Sequence, residues 1–240
     1  MVKKLCRLLV GLILFASFAP AIAGGVEYPS AAGFYLEANG GYSYRNWRDD
    51  GNFQNYLIIV QAGTVLGTLS NGQNGLTVGA DLGYQVNEYI ALETGWYYLP
   101  QVRYTVPSGV GILLGSPALG GNNLVINSWL YYFGGKLMVP IYHRLYLFGK
   151  LAAAYINVRG SLTAGLSSIA SAMNLPTSGN FWAPLFATGV QYDITWNWSV
   201  NLQYLFVEGN SHTPFGSTPT TLPSPDTNLF TVGVAYKFAI

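Results

Sequence analysis

The sequence predicts an all-β fold: an eight-stranded antiparallel up-and-down transmembrane β-barrel, with short turns at one end and four long loops at the other. Three observations lead there. The chain of 240 residues is 50% hydrophobic but only 9% charged, against about 25% charged in an ordinary soluble domain. Beyond the first 23 positions it contains no apolar run of the roughly 20 residues a membrane helix needs. Apolar residues recur instead at every second position, in eight segments of about ten residues, the length of a tilted membrane strand. The 12 Phe, 18 Tyr and 6 Trp also carry too much apolar surface for a chain that never folds.

Residues 1–23 read as a cleaved secretory signal. Lys3, Lys4 and Arg7 make a positive start, Leu8 to Phe18 an apolar stretch, and Ala21-Ile22-Ala23 a small-x-small cleavage site. Cleavage after Ala23 removes Cys6, the one cysteine, so neither a disulfide nor a thiolate metal site is expected after export to an oxidising compartment. Eight basic residues then face ten acidic ones, a net charge near −2. No basic surface remains to attract nucleic acid. Residues 24–32 are expected to be a short periplasmic segment, and 33–240 the barrel.

The first strand alternates Phe34, Leu36, Ala38, Gly40, Tyr42 and Tyr44 with Tyr35, Glu37, Asn39, Gly41 and Ser43. At two residues per repeat this gives one apolar and one polar face. Leu76 to Val86 and Phe230 to Phe238 repeat the design. Tyr89 to Leu99, Ile126 to Val139, Leu145 to Val158, Trp182 to Tyr192 and Trp198 to Val207 follow it more loosely. Short connections fall near Asn87-Glu88, at Pro140 to Arg144 and at Asp193 to Asn197. Long ones occupy Arg45 to Gly75, Pro100 to Asn123, Arg159 to Phe181 and Glu208 to Asn228. Such alternation is the pattern of an outer-membrane barrel with periplasmic turns. Trp and Tyr gather at both ends of the segments, as in two headgroup-level girdles. Six isolated charges fall on the polar parity: Glu37, Asp81 and Glu93 against Lys136, Lys150 and Lys237. An eight-stranded interior is narrow enough for side chains to fill, so these are expected to form a lumen ion-pair network that plugs the barrel.

The mature chain resembles the small eight-stranded outer-membrane barrels of the OmpA transmembrane-domain and opacity-protein type. The residues that carry the resemblance are Gly33-Phe34-Tyr35-Leu36, Leu76-Thr77-Val78-Gly79-Ala80-Asp81-Leu82-Gly83-Tyr84, and the last strand. There Thr231, Gly233, Tyr236 and Phe238 are similar to the signal read by the barrel-assembly machinery, although Ala239 and Ile240 follow the usual terminal aromatic. The resemblance implies the cell outer membrane as location, with its lipid and the assembly machinery as partners. The chain stops with its eighth strand, so a wall-tethering periplasmic domain of the OmpA kind is not expected.

Catalysis is not expected. His143 sits in a turn. Glu208, Ser211 and His212 cluster after the seventh strand, but a Ser-His-acid set needs its members convergent, and neighbouring strand residues point to opposite faces. Two distant histidines give no metal-ligand spacing, Asp49-Asp50-Gly51 reads as a turn, and no cofactor is implied. The loops carry apolar runs: Tyr56, Leu57, Ile58 and Ile59 in the first, Ile112, Leu113 and Leu114 in the second. Exposed apolar patches mark interaction surfaces, and loops packed on one another as a cap are the equal alternative. An extra hairpin from Tyr56 to Val60 and Thr64 to Leu69 is better read as an extracellular extension than as two more membrane strands. The expected function is a barrel that presents loops to a host or other surface ligand and supports the envelope. The alternative is a narrow OmpW-like channel for small or hydrophobic solutes.

Overall fold

The structure is a computed structural model and describes residues 32–47, 68–71, 74–105, 123–163, 176–210, 222 and 224–238. Its strands are β1 (Gly33–Arg45), β2 (Thr68–Asn71), β3 (Asn74–Gln85), β4 (Ile90–Thr105), β5 (Asn123–Tyr142), β6 (Leu145–Leu162), β7 (Ser178–Asp193), β8 (Trp198–Val207) and β9 (Thr227–Lys237). Every pairing is antiparallel, in the order β4-β3-β1-β9-β8-β7-β6-β5, and β4 pairs with β5 to close the ring. The barrel therefore has eight strands. The short β2 adds no ninth wall strand: it continues the line of β3 and pairs with Arg103 to Thr105 at the far end of β4. Among the described residues no helix is long and apolar enough to cross a membrane, and the crossing is made by strands.

The turns close locally. Asn87 Oδ1 accepts from the backbone N–H of Tyr89 and Ile90 at 2.9 and 2.8 Å. Thr195 Oγ1 accepts from Trp198 N–H at 3.0 Å. Between β5 and β6, exposed His143 takes a left-handed φ of 31°, as tight turns demand.

Alternation sets the faces. On β1, Tyr35, Glu37, Asn39, Ser43 and Arg45 are buried inward while Phe34, Leu36, Tyr42 and Tyr44 are exposed outward. From Leu145 to Tyr155, β6 rises about 26 Å along the barrel axis at about 3.4 Å per residue and a tilt near 40°. That equals the apolar band of an outer-membrane wall, about 25 Å tall. The same strand continues to Leu162, about 18 Å further, so β4, β5 and β6 stand well above the band at the loop end.

Two features depart from the sequence reading. The strands outrun their expected ends: β4 passes Pro100 to reach Thr105, β6 ends at Leu162, and β7 begins at Ser178. The register shifts between Leu99 and Val102, so Leu99, Val102 and Tyr104 all face inward. Proline lacks a ladder donor and is tolerated at such a bulge. The interior is also less polar than expected. Its loop-end half is an apolar core of Trp47, Leu99, Val102, Leu124, Ile126, Leu130, Ile156, Val158, Leu185, Leu205, Val207, Leu222 and Leu229.

Candidate functional site

The centre of the lumen holds a buried polar cluster contributed by six strands. Glu93 on β4 is its hub. Its carboxylate accepts from Tyr35 Oη on β1 at 2.6 Å and from Tyr132 Oη on β5. It also accepts from Lys150 Nζ on β6 and lies 3.9 Å from Lys136 Nζ on β5. Lys150 reaches a second carboxylate, Asp81 Oδ2 on β3, at 3.6 Å. Asp81 Oδ2 in turn accepts from Asn39 Nδ2 at 2.9 Å and Tyr97 Oη at 3.1 Å. Gln203 Nε2 on β8 extends the web to Asn39 Oδ1 and Tyr97 Oη at 3.1 and 3.0 Å. The aliphatic and aromatic surround matters too: Lys136 Nζ lies 4.5 Å from the centre of the Phe148 ring.

Small residues make room for this packing. A Cβ added at Gly83 would run into the Tyr35 ring, one at Gly79 into Tyr97, and one at Gly95 into Asp81 and Tyr132. Each of these glycines lets a large neighbour lie flat across the lumen, which is how a narrow barrel closes. Charged groups shielded in this way are held by hydrogen bonds and opposite charge, since bare burial is costly. The acids outnumber the bases. Glu37 is buried at 1% exposure beside Asp81 in the register, and neither of its oxygens has a hydrogen-bond partner among the described residues.

On the turn side the cluster opens into a vestibule lined by Gln85, Lys136, Arg144, Gln191, Asp193 and Lys237. Lys237 Nζ donates to Gln85 Oε1 at 3.1 Å, and Lys136 Nζ to Gln191 Oε1 at 3.0 Å. On the loop side the apolar core is roofed by Trp47 and Arg45, both fully buried. Arg45 donates to Ser128 Oγ at 2.6 Å and to the carbonyl of Pro100 at 2.7 Å. Its guanidinium also lies 5.2 Å from the Trp47 ring centre. The bulge in β4 thus supplies a carbonyl that ties the end of β1 to the strand beyond β3.

Of the six charges singled out in the sequence, Asp81, Glu93, Lys136 and Lys150 meet in the cluster. Glu37 lies beside it, and Lys237 stands at the turn-end mouth. Thr231 and Gly233 face inward on β9, while the Tyr236 ring packs on Trp198 and Phe238 at 4.9 and 5.2 Å. Tyr56, Leu57, Ile58, Ile59, Ile112, Leu113 and Leu114 lie outside the described residues, as do Ser211 and His212. Sequence reasoning passed over Tyr35, Asn39, Tyr97, Tyr132 and Gln203 as site residues, although each shares the parity of a lumen charge or polar run. The sequence places Arg45 at the start of the first long loop, whereas the structure extends the β1 alternation by one step and turns Arg45 inward. Among the described residues no three His, Cys, Asp or Glu side chains are grouped to hold a metal.

This architecture agrees with comparison to known proteins. The model of the OmpA-like transmembrane domain matches residues 29–240. The chain belongs to that family. It is 28% identical to an uncharacterized protein of Coxiella burnetii, over 97% of this chain and 99% of that one. It is also 28% identical to outer membrane protein A of Serratia marcescens, over 99% of this chain but 56% of that protein. The chain thus spans about half the length of that OmpA relative. Its fold matches the outer membrane protein OprG of Pseudomonas aeruginosa with a TM-score of 0.52 at 13% identity, covering 88% of this chain and 98% of that one. The chain is an outer-membrane β-barrel of the OmpA-like family, its short turns facing the periplasm and its long loops the exterior.

Proposed function

We propose that this OmpA-like barrel is a closed pedestal that presents its extracellular loops for adhesion or partner recognition and contributes to envelope integrity. The carrying observation is the filled lumen. The Glu93–Lys150–Asp81 cluster and the apolar core above it occupy two successive levels of the interior. A wall that encloses packed side chains has stability to spend on projecting strands. In β4 to β6 those strands rise beyond the lipid band and hold the loop ends away from the surface. Thr231, Gly233, Tyr236 and Phe238 would serve as the segment the assembly machinery reads.

The test uses whole cells expressing the full chain. Variants with residues 52–66 and 108–120 replaced by short Gly/Ser connections should still assemble, as shown by a gel mobility that changes on boiling. Their attachment to an epithelial monolayer should fall to that of cells lacking the protein. Attachment that persists without these two segments refutes loop presentation.

A further inference from the structure

Three cations are buried among the described residues: Arg45, Lys136 and Lys150. The two lysines meet carboxylates, as buried charges must to offset their lost hydration. Arg45 does not. Its side chain is fully buried, and a guanidinium stays protonated inside a protein. Yet no ion pair joins it to a carboxylate among the described residues. Glu37, the surplus acid of the lumen, stands eight residues lower on the same strand, about 27 Å along it. Asp226 adjoins Thr227, the register partner of Arg45 on β9, but it is exposed and accepts from the Gly209 N–H at 2.8 Å.

The contacts that Arg45 does make are neutral. Nη1 donates to Ser128 Oγ and Nη2 to the Pro100 carbonyl, which pins the guanidinium between β1, β4 and β5. The Trp47 ring covers it at 5.2 Å. Nε is buried with no hydrogen-bond partner among the described residues, and so is Ser43 Oγ. Ser43 lies one step lower on the inward face of β1, and side chains two apart on a strand share a face at a spacing of about 7 Å. An unpartnered N–H of a cation and an unpartnered hydroxyl thus stand together in the loop-end lumen. A buried water would serve both polar atoms but leave the charge uncompensated, and in a low-dielectric interior the charge is the larger cost.

From this we infer that Arg45 and Ser43 hold a small monovalent anion of the chloride type. The donor set fixes the class. A phosphate or sulfate is gripped by two parallel N–H groups of one guanidinium, whereas here Nη1 and Nη2 each already donate to a neutral oxygen. One remaining N–H and one hydroxyl suit a single compact ion. Bound there, the anion compensates the charge of the strut that ties the end of β1 to β4 and β5, and so steadies the root of the first long loop.

The test is urea unfolding of the full-length barrel in lipid vesicles, with chloride replacing the bulkier gluconate at constant ionic strength. An ion that binds only the folded chain raises the folding equilibrium constant almost tenfold for each tenfold rise in its concentration above its Kd. The wild-type chain should show this dependence for chloride and bromide. Arg159→Gln, which removes an exposed cation of the β6 wall, should keep it. Arg45→Met should lose it, and Ser43→Ala, which leaves the guanidinium in place, should move it to higher chloride. Equal stability of the wild type in chloride and gluconate overturns the proposal without recourse to any variant. So does a dependence that Arg45→Met retains in full. A dependence that appears only when Asp49→Asn and Asp50→Asn are combined would also overturn it, by assigning the counter-charge to a carboxylate of the chain itself.

Discussion

Replacing Lys150 by Met removes the ammonium shared by Glu93 and Asp81 while keeping most of the side chain's volume. Lys150 donates to Glu93 and lies 3.6 Å from Asp81, and all three groups are almost fully buried. In the variant, Lys136 remains 3.9 Å from Glu93, but Asp81 is left with neutral donors such as Asn39 and Tyr97 in place of the ammonium. Removing one partner of a buried ion pair costs about 3–5 kcal/mol, because a charge is left buried and uncompensated. Adding Asp81→Asn in the same chain should recover much of that loss, since the orphaned charge goes with it. The assay is urea unfolding of the barrel in lipid vesicles, followed by tryptophan fluorescence at low and high salt. The loss should persist at high salt, because ions screen buried pairs weakly. A loss below about 1 kcal/mol, the range of exposed pairs, would refute the reasoning. A loss that salt abolishes would do so as well, since it would mean a water-filled lumen.

Three other substitutions probe neighbouring parts of the same interior. Glu37→Gln should keep or raise stability by up to about 1 kcal/mol, since it relieves a buried like charge that has no described hydrogen-bond partner; the same unfolding assay reads it, and a loss above about 2 kcal/mol would point to an ionic partner of Glu37. Gly83→Ala should cost about 1–3 kcal/mol, because its Cβ meets the Tyr35 ring that donates to Glu93, and a neutral result would mean that Tyr35 is free to move. Phe238→Ala should slow insertion in cells while leaving refolding into vesicles unchanged, the pattern expected if the assembly machinery reads this residue; equal slowing in both would make its role one of packing.

Much of the barrel is legible in the sequence because a lipid-facing wall cannot hide its period. On β1, β3 and the stretch of β9 from Phe230 to Ala235 the inward residues are mostly polar or tiny and the outward ones mostly apolar, so one pass along the chain sorts them. Period two becomes uninformative where both faces are apolar. On β6, Ala152, Ala154, Ile156 and Val158 face the core while Leu151, Ala153 and Tyr155 face lipid, and only the single charge of Lys150 marks the inner side. The apolar upper lumen was hidden for that reason. Pro100 reads as a strand end, since it cannot donate to a ladder, but β4 continues past it through a bulge with β5 alongside on one edge and β2 on the other. The roles of Tyr35, Tyr97 and Tyr132 depend on strand stagger, which parity alone does not encode: it decides which carboxylate each hydroxyl meets across the lumen.

The closed interior is tested most directly by recording current across a planar lipid bilayer holding the purified full-length barrel. Lys150, Glu93 and Asp81 at mid-lumen, and the apolar core from Leu130 to Leu222 above them, should leave no continuous aqueous path. Recordings are expected to stay at the baseline of the protein-free bilayer across the voltage range. Discrete, reproducible openings from the wild-type chain would contradict the plugged lumen and favour the channel reading.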